Sequence, residues 1–386
     1  MDNVTHSLVG LAAAKAGLER VSPAATTLCV IAANAPDVDV LTRFVGPWFA
    51  LKHHRGITHS IVGTLALALL LPSVFYLADR IIARLRRKPP SVSFRGLLLA
   101  SLIVSATHPL MDWTNNYGLR PLLPWSAKWF YGDLVFIVDP WIWLGVGGAA
   151  FLLTSQTKWR NALWALLGSA MTLLLLFGPL GRAGVAHPAI MRAVWLMGLL
   201  ALIIAQQARL KEKFGRGIAI AALAFLVAYW GGLSIAHRMA FADAKAAAGQ
   251  IASQRNETIL RMAAMPTLGD PTHWQVMVET DRATYRFEEF LNQESREAIQ
   301  GNLVRYEKLQ GCEAEALEQA QRDERAKIFL DFARYPVYRL DGDCLSRSML
   351  QIADLRFGEP RTSRGGTFSL EVPVDVSAGE WKKENR

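Results

Sequence analysis

Charged residues are scarce in this chain: they make up 19% of its 386 residues, whereas 52% are hydrophobic. A soluble protein of this size carries about 25% charged residues, so the composition excludes a chain that is soluble throughout. The apolar residues concentrate before about residue 236. We therefore predict a mainly α fold, with a polytopic helical membrane bundle at residues 1–238 and a C-terminal α+β soluble domain at residues 239–386.

Cysteine is also rare, with three residues in the chain. Cys29 falls in an apolar segment, where we expect it to pack as a small hydrophobic residue. Cys312 and Cys344 are the two cysteines of the C-terminal region. They form either a disulfide, which suits an oxidising compartment, or two unpaired thiols.

Long apolar runs are plentiful, and six segments approach the roughly 20 residues that span a bilayer. They are 57–79, 96–113, 134–154, 161–181, 189–208 and 217–236. Two shorter segments rich in Ala and Gly precede them, at about 6–19 and 23–36. These predict short spans or a re-entrant pair buried against the bundle. The N-terminus lacks the basic stretch that begins a signal peptide, so we expect it to be retained.

Basic residues are distributed unequally between the two sides of the predicted spans. Twelve Lys and Arg residues lie in the segments 80–95, 155–160 and 209–216, and six lie in 36–56, 114–133 and 182–188. The positive-inside rule assigns the first side to the cytoplasm and the C-terminal domain to the opposite side. The net charge of +9 reflects these loops, so we do not expect nucleic acid as a partner.

The C-terminal region has weaker patterns. Small apolar and charged residues alternate over 240–264, which predicts an amphipathic helix. Alternation on both sides of Thr280-Asp281-Arg282 predicts a β-hairpin. Residues 313–333 are predicted to be helical, and strands are predicted at 337–340, 349–357 and 367–374.

Histidine and aspartate cluster at the ends of these segments, all on the outer side of the predicted topology. Ionisable groups at the edge of a bilayer are costly and are usually functional. Histidine and carboxylate side chains are the ligand set of hydrolytic Zn²⁺ and Mn²⁺ sites. We therefore predict one or two divalent ions, with Zn²⁺ favoured and Mn²⁺ the alternative. The candidate ligands are His6, Asp37, Asp39, His54, His59, His108 and Asp112.

Spacing supports several of these ligands. His108 and Asp112 are four residues apart, so on a helix their side chains share one face. Asp37 and Asp39 flank a single residue after a proline, and two such carboxylates repel each other unless a cation lies between them. A carboxylate that the metal does not fully engage, here Asp37, is the candidate general base.

Two further polar residues lie beside the predicted ligands. Arg55 is the candidate anion clamp, because its planar fork binds a phosphate through two hydrogen bonds; the alternative is that it pairs with a carboxylate such as Asp37. Asp139, which precedes Pro140, is a further ligand, a base or a helix N-cap, and the N-cap is the favoured interpretation.

Taken together, these motifs resemble the membrane-bound metal-dependent hydrolase family, also described as LexA-regulated inner-membrane hydrolases. The resemblance covers about residues 1–145. It consists of Thr5-His6, Pro36–Asp39, His54–Ser60, and His108–Asp112 with Gly118, and the run HRGITHS is its specific part. That family is distantly similar to zinc-dependent phospholipase C, which implies phosphoester hydrolysis in a bacterial inner membrane. A likeness in fold does not determine the substrate.

We therefore expect a multi-pass inner-membrane hydrolase that acts on a lipid-like ester, above all a phosphoester, at the outer face of the membrane. Its substrate is expected to be a membrane lipid or another amphiphile, since a site at the leaflet edge admits such molecules laterally. Arg55 and Asp37 are its expected catalytic residues. The alternative is a metal transporter, or a metal-stabilised membrane protein without catalysis whose periplasmic C-terminal domain binds a partner.

Overall fold

The computed structural model describes residues 1–177, 188–291, 303–342, 347–360 and 368–375. Arg182 of the predicted outer loops and Cys344 of the predicted disulfide lie outside these ranges. The chain forms two compact units. Unit 1 comprises Met1–Val40, Arg55–His237 and Pro266–Pro271, and unit 2 comprises Leu41–His54, Arg238–Met265 and Thr272–Arg386.

Unit 1 is helical. The helices from the N-terminus onward are α1 (Asn3–Ala16), α2 (Ala25–Asn34), α3 (Pro47–His53), α4 (Ile61–Leu85), α5 (Phe94–Trp113), α6 (Pro140–Ile142), α7 (Gly148–Thr154), α8 (Lys158–Leu176), α9 (Pro188–Gln207), α10 (Leu210–Phe214) and α11 (Gly217–Arg255). Of these, α3 belongs to unit 2, and α11 contributes residues to both units. Three 3₁₀ segments lie at Leu18–Arg20, Ala35–Phe44 and Ile57–His59, and the π-helical turn Trp143–Gly147 joins α6 to α7.

Five helices of the described residues are long and apolar enough to cross a membrane, namely α4, α5, α8, α9 and α11. They confirm the predicted helical membrane bundle and five of the six predicted spans. The sixth, 134–154, is wrong in extent, because the structure has only the shorter apolar helix Pro140–Thr154 there. Asp139 caps this helix by accepting hydrogen bonds from the backbone N–H groups of Trp141 and Ile142. Pro140 is its first residue, a position that needs no N–H donor.

Small residues let α1, α2 and α5 approach closely. Their shared core consists mainly of alanine, together with Leu28, Leu97 and Val104. A Cβ atom added to Gly96 would lie 2.1 Å from the carbonyl oxygen of Val21. Cys29 is a free thiol buried in this core, as predicted. This packing brings together the N-terminus of α1, the C-terminus of α2 and the C-terminus of α5.

The other face of α1 packs against larger side chains. Leu8 of α1 joins a core with Met111, Trp143 and Trp195. The indole N–H of Trp143 donates a hydrogen bond of 2.9 Å to the Thr5 hydroxyl. The helix α1 is therefore held between two cores.

In unit 2 the predicted helix 240–264 is wrong in its second half. The helix α11 ends at Arg255, and residues from Ile259 onward form a strand. Asn256 has a φ of 54°, and the N–H of Glu257 donates to the carbonyl oxygen of Ala252. A left-handed Asn followed by this bond is a helix C-cap, and it stops the helix despite the continuing pattern.

The rest of unit 2 contains two antiparallel sheets and two helices. The elements are β1 (Ile259–Thr267), β2 (Asp270–Thr280), β3 (Ala283–Phe290), β4 (Val304–Glu307), α12 (Cys312–Ala320), α13 (Glu324–Phe332), β5 (Pro336–Asp341), β6 (Arg347–Asp354) and β7 (Ser369–Asp375). The sheet orders are β1-β2-β3-β4 and β5-β6-β7. The β2–β3 pairing, with Glu279 opposite Thr284, confirms the predicted hairpin. The α+β character predicted for this region is confirmed.

Two local features complete unit 2. Trp48 and Leu51 of α3 pack against its core, so the segment Leu41–His54 belongs to this unit and not to the helical one. Cys312 is disulfide-bonded. Its predicted partner, Cys344, lies outside the described residues.

Candidate metal centre

Four of the seven predicted ligands meet in unit 1. They are Asp37 in the 3₁₀ segment after α2, His59 in the 3₁₀ segment before α4, and His108 and Asp112 in the last two turns of α5. One ligand atom from each lies within 4.8 Å of the others. His59, His108 and Asp112 are buried, and the Asp37 side chain is 16% exposed. The close packing of α1, α2 and α5 creates this convergence.

The spacing of the four atoms suits a tetrahedral cation. The Nε2 atom of His59 lies 3.3 Å from Asp37 Oδ1, 3.3 Å from Asp112 Oδ2 and 3.1 Å from His108 Nε2. His108 Nε2 lies 3.6 Å from Asp37 Oδ1 and 3.4 Å from Asp112 Oδ2. Ligands at the Zn–N and Zn–O distances of a tetrahedral site are about 3.3 Å apart, and these five distances are close to that value.

The Nδ1 atoms of both histidines have partners that hold the rings in orientation. His108 Nδ1 lies 2.6 Å from the carbonyl oxygen of Ala33 and donates to it, so that Nε2 is directed at the cluster. His59 Nδ1 lies 3.1 Å from the Thr58 hydroxyl and 3.4 Å from Asp39 Oδ2. Such partners fix the tautomer of metal-binding histidines. Asp39 therefore contacts the rear of the His59 ring, and its predicted role as a direct ligand stays a prediction.

His6 lies against the cluster without a hydrogen bond. Its ring stacks on His108 at 3.8 Å between centroids, and its Nε2 lies 3.4 Å from Asp112 Oδ1. Both ring nitrogens are fully buried and lack a hydrogen-bond partner, and so does Asp112 Oδ2. Burial, with the nearby His108, lowers the pKa of His6 to about 3, so the ring is neutral. Buried polar atoms without partners are rare, and a cation beside them would bind the lone pairs of one His6 nitrogen and of Asp112 Oδ2.

Arg55 binds protein groups through both of its terminal nitrogens, whereas its Nε atom has no hydrogen-bond partner. Its Nη2 donates to Asp112 Oδ1 at 2.9 Å and its Nη1 to Asn115 Oδ1 at 2.9 Å. Its guanidinium also lies 4.7 Å from the centre of the Tyr117 ring, and the residue is 4% exposed. The carboxylate it pairs with is Asp112 and not the expected Asp37. Its predicted role as an anion clamp stays a prediction, since the fork is engaged with the protein.

The two remaining candidates are not members of the cluster of four. His54 follows α3 as its C-cap, is a residue of unit 2, and is not a member of the cluster. Asp139 is the N-cap of α6, which confirms the favoured interpretation, and it accepts a 2.9 Å hydrogen bond from the Tyr229 hydroxyl. Burial raises the pKa of Asp139 to about 6, although three hydrogen bonds to its carboxylate oppose the shift.

Three contacts at the site involve residues that the sequence analysis did not select. Asn3 donates to Asp37 Oδ2 at 2.7 Å, and Asn115 accepts from Arg55 as described above. The α-amino group of Met1 contacts Asp112 Oδ1. Asn115 follows the His108–Asp112 motif directly, which is the signal that could have identified it. Asn3 has no such signal, because its contact depends on the approach of α1 to the segment after α2.

The Asp37 carboxylate is held in its charged form. Burial raises its pKa, but hydrogen bonds from His108 and His59 outweigh burial, so the pKa lies below the ordinary value. A charged carboxylate with neutral imidazoles is the ligand state that a divalent cation requires.

Comparisons with known proteins concern mainly the N-terminal half. Residues 1–185 match the model of the YdjM inner membrane protein family. The protein YfhP of Bacillus subtilis (strain 168), itself uncharacterized, is 30% identical over 152 residues, which are 37% of this chain and 43% of YfhP. No solved structure matches this chain. Residues 1–185, which carry the four clustered side chains, are thus similar to a family of inner membrane proteins.

Proposed function

We propose that this chain is an inner-membrane hydrolase that uses a divalent cation, with Zn²⁺ the first choice, held by Asp37, His59, His108 and Asp112. The observation that carries the proposal is the convergence of four ligand side chains, three of them buried, with one ligand atom from each within 4.8 Å of the others. Two imidazoles and two carboxylates are a donor set that binds Zn²⁺ and Mn²⁺ and supports hydrolysis. His6, buried and without a hydrogen-bond partner, is a candidate for a further ligand.

The residues around the cation would each have a role. A divalent cation supplies Lewis acidity and lowers the pKa of an attacking water toward 7. Asp37 is the most exposed of the four, and its Oδ2 is oriented by Asn3. It is therefore the residue placed to accept a proton from water, as the general base. Arg55 holds Asp112 in place through the 2.9 Å bond to Oδ1.

The substrate class that we propose is a lipid-like ester, with phosphoesters favoured. Support comes from the position of the ligands at the ends of helices long enough to cross a membrane: His59 lies two residues before the start of α4, and Asp112 lies one residue before the end of α5. An amphiphile can place its head group at such a depth while its tail stays in the bilayer. The proposed location is the periplasmic face of the inner membrane, with the C-terminal domain on the same side.

A second candidate is a structural metal site without catalysis. It is favoured by the burial of His59, His108 and Asp112, each at most 1% exposed, because structural zinc sites are closed whereas catalytic ones keep an open position. The 16% exposure of the Asp37 side chain is the feature that favours catalysis.

The experiment combines metal analysis with an activity screen. Wild type, His108→Ala and His53→Ala are purified, bound metal is measured by mass spectrometry, and hydrolysis of phospholipids and of a chromogenic phosphodiester is assayed. We expect bound metal and metal-dependent hydrolysis in wild type and in His53→Ala, whose side chain is exposed, and loss of both in His108→Ala. Metal without turnover on any ester would favour the structural site. A wild-type protein that binds no divalent metal would refute both candidates.

A further inference from the structure

A second site of unit 1 is an apolar cavity of about 630 Å³ between α1, the turn Trp143–Gly147 with α7, and the helices α8 and α9. Ligand-binding cavities in proteins have about 300–1,000 Å³ and are lined mainly by apolar and aromatic side chains. The walls here include Leu8, Trp143, Trp164 and Trp195. The size and lining therefore suit a small-molecule ligand and not ordered water.

The shape of the cavity suits a hydrocarbon chain. Its lining runs along α8 from Asn161 to Leu173 and along α9 from Trp195 to Gln206, which is about 17 Å at the helical rise per residue. One leaflet of a bilayer contributes about 15 Å of hydrocarbon. Leu173 and Ile203 of the lining are 59% and 49% exposed, so the cavity wall is continuous with surface that would face lipid.

The inner part of the cavity offers little to a polar ligand. The indole N–H of Trp195 donates to the Thr172 hydroxyl at 3.0 Å, and that of Trp164 donates to the Thr154 hydroxyl at 2.9 Å. These donors are used within the protein. An apolar chain therefore loses no hydrogen bond when it enters.

One end of the cavity is polar and lies beside basic residues. The Gln206 amide donates to the Ser155 hydroxyl at 3.0 Å, so the end of α9 lies beside the α7–α8 connection. Lys158 and Arg160 lie in the first turn of α8, and Arg209 and Lys211 lie shortly after the end of α9. All of them except Lys211 are exposed. Arg209 also lies 3.8 Å from Glu212, an exposed pair that contributes little. Basic residues at the end of an apolar cleft between membrane helices bind anionic lipid head groups.

We propose that this cavity binds one anionic phospholipid, with a hydrocarbon chain between α8 and α9 and the phosphate beside Lys158 and Arg160. The hydrocarbon chain of the lipid would contact Trp143, Trp164 and Trp195. The basic residues would give the site its preference for a negatively charged head group. The site is separate from the metal cluster, since α1 presents His6 to the cluster and Leu8 to the cavity. Its existence does not depend on hydrolysis.

The first test fills the cavity. Gly168 lines the cavity, and a Cβ atom added there meets nothing within 4 Å; the same holds for Gly231, which lies in α11 and does not line it. Gly168→Phe and Gly231→Phe are therefore matched variants. Delipidated protein is titrated with dioleoyl phosphatidylglycerol and with dioleoyl phosphatidylcholine, and bound lipid is counted by native mass spectrometry.

We expect wild type and Gly231→Phe to bind one phosphatidylglycerol with preference over phosphatidylcholine, and Gly168→Phe to lose this first binding step while its thermal unfolding midpoint is maintained. Equal binding by Gly168→Phe and wild type would overturn the proposal, and so would equal loss in both phenylalanine variants. The absence of a saturable first step in wild type would also overturn it.

The second test concerns charge. Lys158→Gln combined with Arg160→Gln should reduce the preference for phosphatidylglycerol by about thirtyfold, because each of the two basic residues near the head group contributes about 1 kcal/mol and about 1.4 kcal/mol corresponds to a factor of ten. The control is Arg86→Gln combined with Arg87→Gln, two exposed residues at the end of α4. An equal reduction in both double variants would show a general charge effect and refute the assigned head-group position. Neither test reads hydrolytic activity, so a failure here and a failure of the proposed function are distinguishable.

Discussion

Asp39 and His59 are in contact, but only His59 presents an atom to the other ligands. We expect His59→Ala to reduce bound metal to background, because it removes one of four ligand atoms. Asp39→Ala should weaken metal affinity by about 10- to 100-fold, the usual effect of removing a partner that orients a ligand. Metal titration of the purified variants measures both, with Asp243→Ala, an exposed position, as the control. If Asp39→Ala loses metal as completely as His59→Ala, Asp39 is a direct ligand.

Arg55 is expected to act through Asp112. Arg55→Lys keeps the positive charge, but lysine cannot donate hydrogen bonds to Asp112 and Asn115 at the same time, since an ammonium group lacks the planar fork. Losing charge-assisted bonds in a buried position costs about 1.5–3 kcal/mol, so we expect weaker metal binding and a lower thermal unfolding midpoint. The two readouts are metal affinity and the unfolding midpoint of the same sample. Wild-type values for both, with reduced phosphoester turnover, would instead support the anion clamp.

At the scale of elements, the close approach of α5 to the segment after α1 sets the geometry of the site. Gly96→Ala would place a Cβ atom 2.1 Å from the Val21 carbonyl oxygen. Overpacking of this kind costs about 1–3 kcal/mol, so the thermal unfolding midpoint should fall. Gly231→Ala is the matched control, because its Cβ meets nothing within 4 Å and alanine favours the helix. Equal midpoints for the two variants would contradict the assigned contact.

Two of the predicted elements are wrong at one end, and the predicted helix 313–333 is two helices, Cys312–Ala320 and Glu324–Phe332. Hydropathy extended one span back to residue 134, whereas Asp139 and Pro140 start that helix later. Alternation of small and charged residues extended another helix to residue 264, whereas Asn256 ends it. In both places a single residue with a special backbone role outweighed a periodic pattern, because one cap determines where a helix can begin or end.

At the scale of the whole molecule, the asymmetry of basic residues predicts that Arg80–Arg95 faces the cytoplasm and residues 240–386 face the periplasm. Reporter fusions after Arg87 and after Gly249 should therefore give opposite activities, since basic loops are retained on the cytoplasmic side. A cytoplasmic signal at Gly249 would move the C-terminal domain to the other side and reverse the proposed location of the site.

Metal removal should also affect the molecule as a whole. The four clustered side chains come from three separate segments of unit 1, so a cation that binds them stabilises their packing. A ligand at a hundred times its dissociation constant stabilises the folded state by about 2.7 kcal/mol. We expect a chelator to lower the thermal unfolding midpoint of wild type and readded Zn²⁺ to restore it. His108→Ala should show no response to either treatment.

Much of the fold could be predicted from the sequence alone. Apolar runs predicted six spans, five of which are long apolar helices, and the composition after residue 238 predicted an α+β region. Both depend on local sequence and its contact with lipid or water. The residue types of the candidate metal site could also be predicted, since His and Asp recur at the ends of the predicted spans. The disulfide of Cys312 also agrees with one of the two predicted alternatives.

The tertiary structure alone decided which of the seven candidate ligands meet. Asp37, His59 and His108 are far apart in the sequence, so their distances depend on how tightly α1, α2 and α5 pack, and no local pattern contains that information. The same packing places Asp39 behind His59, pairs Arg55 with Asp112 and leaves His6 without a hydrogen-bond partner. Sequence determines which groups are available for chemistry, and the packing of helices determines which of them share one site.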